Sequence, residues 1–229
     1  MLEELKEKVL IANLELVEQQ LVVYTWGNVS ERDPETGYVV IKPSGVPYDQ
    51  MEASQMVVLD PEGKKVDGKL NPSSDAPTHL ELYRNFAEIG GVVHTHSQWA
   101  TSWAQAGRAI PAYGTTHTDY FYGSVPCTRE LSGEEVEEEY EAHTGRLIAE
   151  TFRELDYRSL PGVLVHMHGP FTWGSDAMDA VHKAVVLEEI AKMAFRTEVL
   201  GQSEPLKQYL LDKHYKRKHG KDAYYGQSK

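Results

Sequence analysis

Apolar residues recur at Leu2, Leu5, Val9, Ala12 and Leu16 with Glu and Lys between them, which predicts a helix over residues 2–20 with one buried face. Residues 21–24 and Val29 read as extended, interrupted at Trp26-Gly27-Asn28, and residues 38–41 as a short buried strand. Pro43-Ser44-Gly45-Val46-Pro47 stops that strand, because proline cannot donate to a ladder and glycine permits a tight turn. Residues 56–59 and the stretch around Lys65-Val66 flank Asp60-Pro61-Glu62-Gly63 as a hairpin. Further on, the pattern predicts helices over 78–86, 97–106, 133–155, 176–200 and 204–218, and strands over 91–96 and 162–166, the latter broken by Gly169-Pro170. Hairpins interleaved with helices predict an α/β fold of three layers, with helices on both faces of a mostly antiparallel central sheet. There is no repeat and no long linker, so the whole of 1–229 is expected to form one domain.

Composition narrows the function. With 229 residues, 41% of them hydrophobic, the chain can bury a sizeable core, and no apolar run approaches the roughly 20 residues that span a bilayer. The start is charged with both signs and lacks the basic-then-apolar order of a signal peptide, and the single Cys127 excludes an internal disulfide framework; both point to the cytoplasm. A net charge of -12 disfavours nucleic acid and anionic membranes as partners. The chain lacks GxGxxG after a strand and GxxxxGK[ST], so neither a dinucleotide fingerprint nor a phosphate loop is present.

The ten histidines are the informative excess. His94-Thr95-His96 and His166-Met167-His168 each follow an apolar strand. In extended chain, residues i and i+2 point to one face, so two imidazoles converge on an ion from a single strand end. Each pair alone also reads as polar caps or hydrogen-bonded core histidines; two pairs in matching contexts favour a transition-metal site. Spacing leaves open which three of the four imidazoles bind. Asp75 supplies an acid at a predicted helix entrance, where it also reads as an ordinary N-cap.

Several segments then stand in order: Thr25-Trp26-Gly27-Asn28-Val29-Ser30, Ile41-Lys42-Pro43-Ser44-Gly45, Pro72-Ser73-Ser74-Asp75, Val93-His94-Thr95-His96-Ser97, Thr115-Thr116-His117-Thr118-Asp119-Tyr120-Phe121-Tyr122-Gly123 and Val165-His166-Met167-His168-Gly169. The ending Leu211-Asp212-Lys213-His214-Tyr215-Lys216-Arg217-Lys218-His219-Gly220 with Ala223-Tyr224-Tyr225-Gly226 completes the series. Over nearly its whole length the chain resembles the L-ribulose-5-phosphate 4-epimerases of the class II sugar-phosphate aldolase superfamily. The resemblance implies a cytoplasmic homotetramer of L-arabinose-type carbohydrate catabolism, with one Zn²⁺ per subunit (Mn²⁺ or Co²⁺ also fit imidazole and carboxylate) and a small sugar phosphate as substrate. It also implies that His94, His96 and His168 bind the metal with Asp75 beside it, leaving His166 supporting or structural. Gly27, Asn28, Lys42, Ser44, Gly45, Ser73 and Ser74 match the substrate and phosphate pocket. Asp119 and Tyr225 match an acid/base pair that the C-terminal tail and its surroundings bring to a neighbouring subunit's site. His214 lies in the segment that resembles the closure of that site. The implied reaction is inversion at C4 through retro-aldol and aldol steps by way of an enediolate. The alternative within the superfamily is an aldolase that releases its fragments from L-fuculose or L-rhamnulose 1-phosphate.

Overall fold

In the computed structural model, which describes residues 1–201, 204–219 and 223–225, seven strands form one sheet in the order β4-β3-β2-β1-β5-β7-β6. They are β1 (Asn28–Arg32), β2 (Val39–Ile41), β3 (Val57–Leu59), β4 (Lys65–Asp67), β5 (Gly91–His94), β6 (Gly162–Leu164) and β7 (Pro170–Gly174), and every neighbouring pair is antiparallel. The motif glycines Gly220 and Gly226 lie outside the described residues. The eight helices among the described residues are α1 (Glu3–Glu18), α2 (Ala76–Asn85), α3 (Gln98–Gln105), α4 (Thr115–Thr118), α5 (Gly133–Glu137), α6 (Tyr140–Thr151), α7 (Ala177–Leu200) and α8 (Gln208–His219).

Strand alternation builds the layers. Val39, Ile41, Val57, Leu59, Val92, Phe171 and Trp173 face one side, where they pack with Leu80, Tyr83 and Phe86 of the α2 region and Ile148 of α6. Val29 and Val93 face the other side, against Ala12 and Leu16 of α1 and Ala180 and Val181 of α7. This is the expected three-layer α/β arrangement, with helices on both faces of an antiparallel sheet.

Buried polar side chains clamp helices to the sheet. Asn13 of α1 donates to the carbonyls of Val9 (2.8 Å) and Val29 (3.3 Å) and accepts from Val29 N–H (3.0 Å), which holds β1 against α1. Glu31 accepts from the Ala177 N–H at the start of α7 (2.8 Å). The Glu188 carboxylate, on α7, accepts from Trp99 N–H (2.8 Å) and Ala100 N–H (2.9 Å), the first-turn donors of α3 that Ser97 leaves uncapped.

Four expectations change. Residues 21–24 are irregular, with Tyr24 in the left-handed region (φ 54), and the strand begins at Asn28 and runs on to Arg32. The single helix expected over 133–155 is two, because Glu138 leaves helical geometry (ψ -81) between α5, which buries nothing, and α6, which buries Thr144, Gly145, Leu147 and Ile148. Pro170 does not end the sheet but opens β7, a position where a missing N–H costs no ladder bond. The strand expected over 91–96 ends at His94, so His96 lies beyond the ladder.

Candidate active site

The site grows from the ends of two adjacent strands. Asn28, first residue of β1, pairs in register with His94, last residue of β5, and His94 in turn pairs with Phe171 of β7. Beyond β5 the chain runs through Thr95 and His96 into α3, and the turn between β6 and β7 carries His168. Gly27 makes the close approach possible: its φ is +88, and a Cβ there would lie 2.9 Å from the His94 carbonyl oxygen.

His94, His96 and His168 each offer a ring nitrogen within 4.8 Å of the others. His94 is buried, His168 half-buried and His96 exposed, so the cluster opens on one side. The Nδ1 of His94 lies 3.0 Å from the Pro170 carbonyl oxygen. A carbonyl can only accept, so Nδ1 carries the proton and Nε2 presents its lone pair. Desolvation by the surrounding protein lowers the pKa of all three imidazoles, even at His96 on the open side, reinforced at His94 by His168 and His96 and at His168 by His96, and opposed at His96 and His168 by the Asp75 charge. Three neutral imidazoles with an open side form a donor set that fits a divalent transition metal, with coordination positions left for substrate.

His166 does not join them. Met167 sits at φ 60, so the chain turns between the two residues and the same-face rule for i and i+2 fails. The His166 ring lies instead against Gly107.

Asp75 precedes α2 but caps nothing; its backbone is already right-handed (φ -76) and its carboxylate accepts from Asn28 Nδ2 (2.6 Å). Asn28 Nδ2 also donates to Ser73 Oγ (3.0 Å), while Asn28 Oδ1 is buried without a partner among the described residues. A buried acceptor left bare costs about 1–3 kcal/mol, so Asn28 Oδ1 is open to a donor from a water or a ligand.

The remaining pocket residues arrive on two loops locked together. Ser73 N–H donates to the Lys42 carbonyl (2.9 Å), Ser44 N–H donates to the Asn71 carbonyl (3.0 Å), and Pro43 bridges Pro72. Ser44, Gly45 and Ser74 are exposed, and Gly45 turns at φ +68 with open space around it. Lys42 is buried under its own loop, its Nζ donating to the carbonyls of Pro43 (3.3 Å) and Val46 (3.2 Å) and lying 5.0 Å from the Tyr48 ring centre. Burial lowers its pKa.

No hydrogen bond or ion pair among the described residues joins Asp119 or Tyr225 to His94, His96 or His168. Asp119, which follows α4, takes two bonds from Arg217 Nη2 (2.9 and 2.7 Å) and lies 3.2 Å from His214 Nδ1 and 3.6 Å from Lys218 Nζ. Burial pushes its pKa up, but the Arg217 and His214 hydrogen bonds and the Lys218 charge outweigh it, and the carboxyl is held below its usual range. Tyr225 reaches the same cluster, its ring 4.4 Å from Lys218 Nζ and 5.2 Å from the Arg217 guanidinium carbon.

Sequence reading missed Tyr140, whose hydroxyl lies 3.3 Å from His168 Nδ1, and the cations Arg217 and Lys218. Tyr140 was hidden inside a helix drawn as continuous. The cations stood in a run, Lys216-Arg217-Lys218-His219, that periodicity alone reads as a solvated helix end.

Residues 7–195 match the family model described as Class II Aldolase and Adducin N-terminal domain. Over 227 residues, 99% of this chain and all of the relative, the sequence is 56% identical to L-ribulose-5-phosphate 4-epimerase UlaF of Salmonella paratyphi B. Among solved structures, an L-fuculose 1-phosphate aldolase superposes with a TM-score of 0.80 at 23% identity, covering 93% of this chain and 95% of the other. The L-fuculose 1-phosphate aldolase of Glaciozyma antarctica gives 0.79 at 18% identity, covering 96% and 84%. Identity this high across the full length, on a fold shared with those aldolases and with three imidazoles gathered at its strand ends, makes the chain a member of the class II aldolase family.

Proposed function

We propose that the protein is an isomerase, an L-ribulose-5-phosphate 4-epimerase that interconverts L-ribulose 5-phosphate and D-xylulose 5-phosphate by breaking and remaking the C3–C4 bond. The observation that carries this reading is the full-length 56% identity to an epimerase, which favours that outcome over the aldolase one. The imidazole cluster supports the chemistry.

The hydrogen on C4 is not adjacent to the carbonyl, so its removal gives no stabilised carbanion. Cleaving C3–C4 instead leaves an enediolate of dihydroxyacetone and frees glycolaldehyde phosphate, whose carbonyl can turn and accept the carbon on its other face. A metal held by His94, His96 and His168, with Asp75 beside it, supplies Lewis acidity to the oxygens where that negative charge develops. Zn²⁺ suits this donor set, and Mn²⁺ or Co²⁺ would serve.

The chain's own groups do the rest. Gly27 and Asn28 line the site, and Asn28 Oδ1 accepts from a substrate hydroxyl. Ser44, Ser73 and Ser74 hold the phosphate with their hydroxyls, and Gly45 and Ser74 with backbone N–H groups that the loop pairing leaves free, over the positive field of the buried Lys42, so that the fragment turns without escaping. Asp119, kept ionised by Arg217, takes the C4 hydroxyl proton on one face, and Tyr225 returns a proton on the other. These two act from a neighbouring subunit of a homotetramer in which each chain is one domain, its C-terminal tail closing the next subunit's site. This arrangement accounts for the lack of any hydrogen bond or ion pair, among the described residues, between them and the three imidazoles of their own chain. The cytoplasm and pentose catabolism of the L-arabinose kind are the setting that fits; no described helix is long and apolar enough to cross a membrane.

The test is a product assay on L-ribulose 5-phosphate. D-xylulose 5-phosphate should accumulate with free glycolaldehyde phosphate far below stoichiometric. Release of the aldehyde in step with substrate loss, or turnover confined to L-fuculose or L-rhamnulose 1-phosphate, would replace the epimerase with an aldolase.

A further inference from the structure

We infer that Tyr140 is a positioning residue of the metal site, its hydroxyl fixing the tautomer and ring orientation of His168. The inference rests on the reading of His94, His96 and His168 as a metal cluster.

The three imidazoles are tethered unequally. His94 is held by the Pro170 carbonyl at 3.0 Å and stacks on Phe171 with ring centres 4.2 Å apart. His96 lies against the Trp26 ring, centres 6.2 Å apart. His168 stands on the turn between β6 and β7, directly after the left-handed Met167, and its ring has one hydrogen-bond partner among the described residues, the Tyr140 hydroxyl. A neutral imidazole that coordinates through Nε2 carries its proton on Nδ1. The phenol oxygen, 3.3 Å from that nitrogen, is placed to accept it. Without the acceptor the ring is free to flip, or to protonate Nε2 and withdraw the lone pair.

The fold delivers Tyr140 for this purpose by breaking a helix. The backbone leaves helical geometry at Glu138, and α6 restarts at Tyr140. That first turn is then pinned to α2, which begins directly after Asp75. Thr78 Oγ1 donates to the Glu141 carbonyl (2.6 Å), and the helices approach so closely at Gly145 that a Cβ would lie 2.5 Å from Glu81 Cβ; within α6, Thr144 Oγ1 donates to the Tyr140 carbonyl (2.8 Å). A continuous helix over 133–155 would have no such break to start a new first turn at Tyr140.

Tyr140→Phe keeps the ring and removes only the oxygen. Stripped wild-type and Y140F protein should be titrated with Co²⁺ against a competing chelator. The expected result is affinity weaker by about 10- to 100-fold, the usual cost of losing such a partner. The visible absorption of bound Co²⁺ should change, and the melting temperature of the metal-free protein should not. Histidine ¹⁵N spectra of the metal-free forms should show His168 protonated at Nδ1 in the wild type and a tautomer mixture in Y140F. Equal Co²⁺ affinity in the two proteins, or a loss matched by general unfolding of metal-free Y140F, would overturn the inference. Wild-type protein that binds Co²⁺ but makes no D-xylulose 5-phosphate would sink the proposed reaction and leave the Tyr140 result to stand or fall by itself.

Discussion

Glu188→Gln tests how the structure holds His96. Helix α3 begins two residues after that histidine, and its N-cap residue, Ser97, makes no side-chain bond to it. The Trp99 and Ala100 N–H groups are instead capped by a carboxylate on α7, 2.8 and 2.9 Å away, whose residue is only 9% exposed. Hydrogen bonds to a charged group contribute roughly 1.5–3 kcal/mol each, and a buried donor left bare costs a similar amount. Glutamine keeps one acceptor and turns an NH₂ toward the other donor, so E188Q should lose about 2 kcal/mol, and E188A, which strands both donors, about 3–5 kcal/mol. For a domain of this size that corresponds to roughly 4–8 °C in melting temperature for E188Q. The assay is thermal or urea unfolding of the metal-stripped protein at fixed protein concentration, followed by metal titration. Because the first turn of α3 carries the backbone on from His96, metal affinity should fall alongside stability. A melting temperature for E188Q within about 1 °C of wild type would refute the view that this carboxylate organises the start of α3.

Two further outcomes follow from the site and its surroundings. His96→Asn should drop metal content far below one ion per chain and turnover with it, with metal-free stability unchanged because the side chain is exposed; wild-type metal content would remove His96 from the ligand set. His79, fully buried, has its pKa lowered by that burial from 6.5 to about 3. On acidification the unfolded chain takes up this proton before the folded one. Stability that is intact above about pH 6.5 should therefore fall as the pH drops toward 3, by about 1.4 kcal/mol per pH unit from this residue. Denaturation of the metal-free protein at pH 7, 6, 5 and 4 should show a slope shallower by one proton in His79→Gln; an unchanged slope would show that the histidine does not titrate as its burial requires.

Features with a local cause were legible in the chain. The face of α1 and the runs of Val and Ile in the central strands follow from periods of 3.6 and 2.0, and the stop at Pro43 and the hairpin around Asp60 from proline and turn chemistry, all of which depend on near neighbours alone. The pairing of His94 and His96 at a strand end was legible for the same reason, and the ordered motifs carried the family. Where the chain leaves regular geometry, local pattern misled. Met167 in the left-handed region sends His166 and His168 apart, and a backbone turn at Glu138 ends one helix and starts another inside an unbroken helical composition.

Convergence of distant segments was out of reach of any local pattern. Asn28 meets His94 because β1 lies beside β5, and His94 meets the Pro170 carbonyl, 76 residues away, because β7 lies on the other side of β5. That strand order also turned Asp75 from an apparent helix cap into the partner of Asn28, and the packing of helices on the sheet set Glu188 at the start of α3 and Tyr140 beside His168. Residue types and their intervals named the donors and the chemistry they suit. Which of them share a site, in which tautomer and against which support, follows from long-range packing, since one hydrogen bond across the sheet depends on the placement of every layer that carries its two ends.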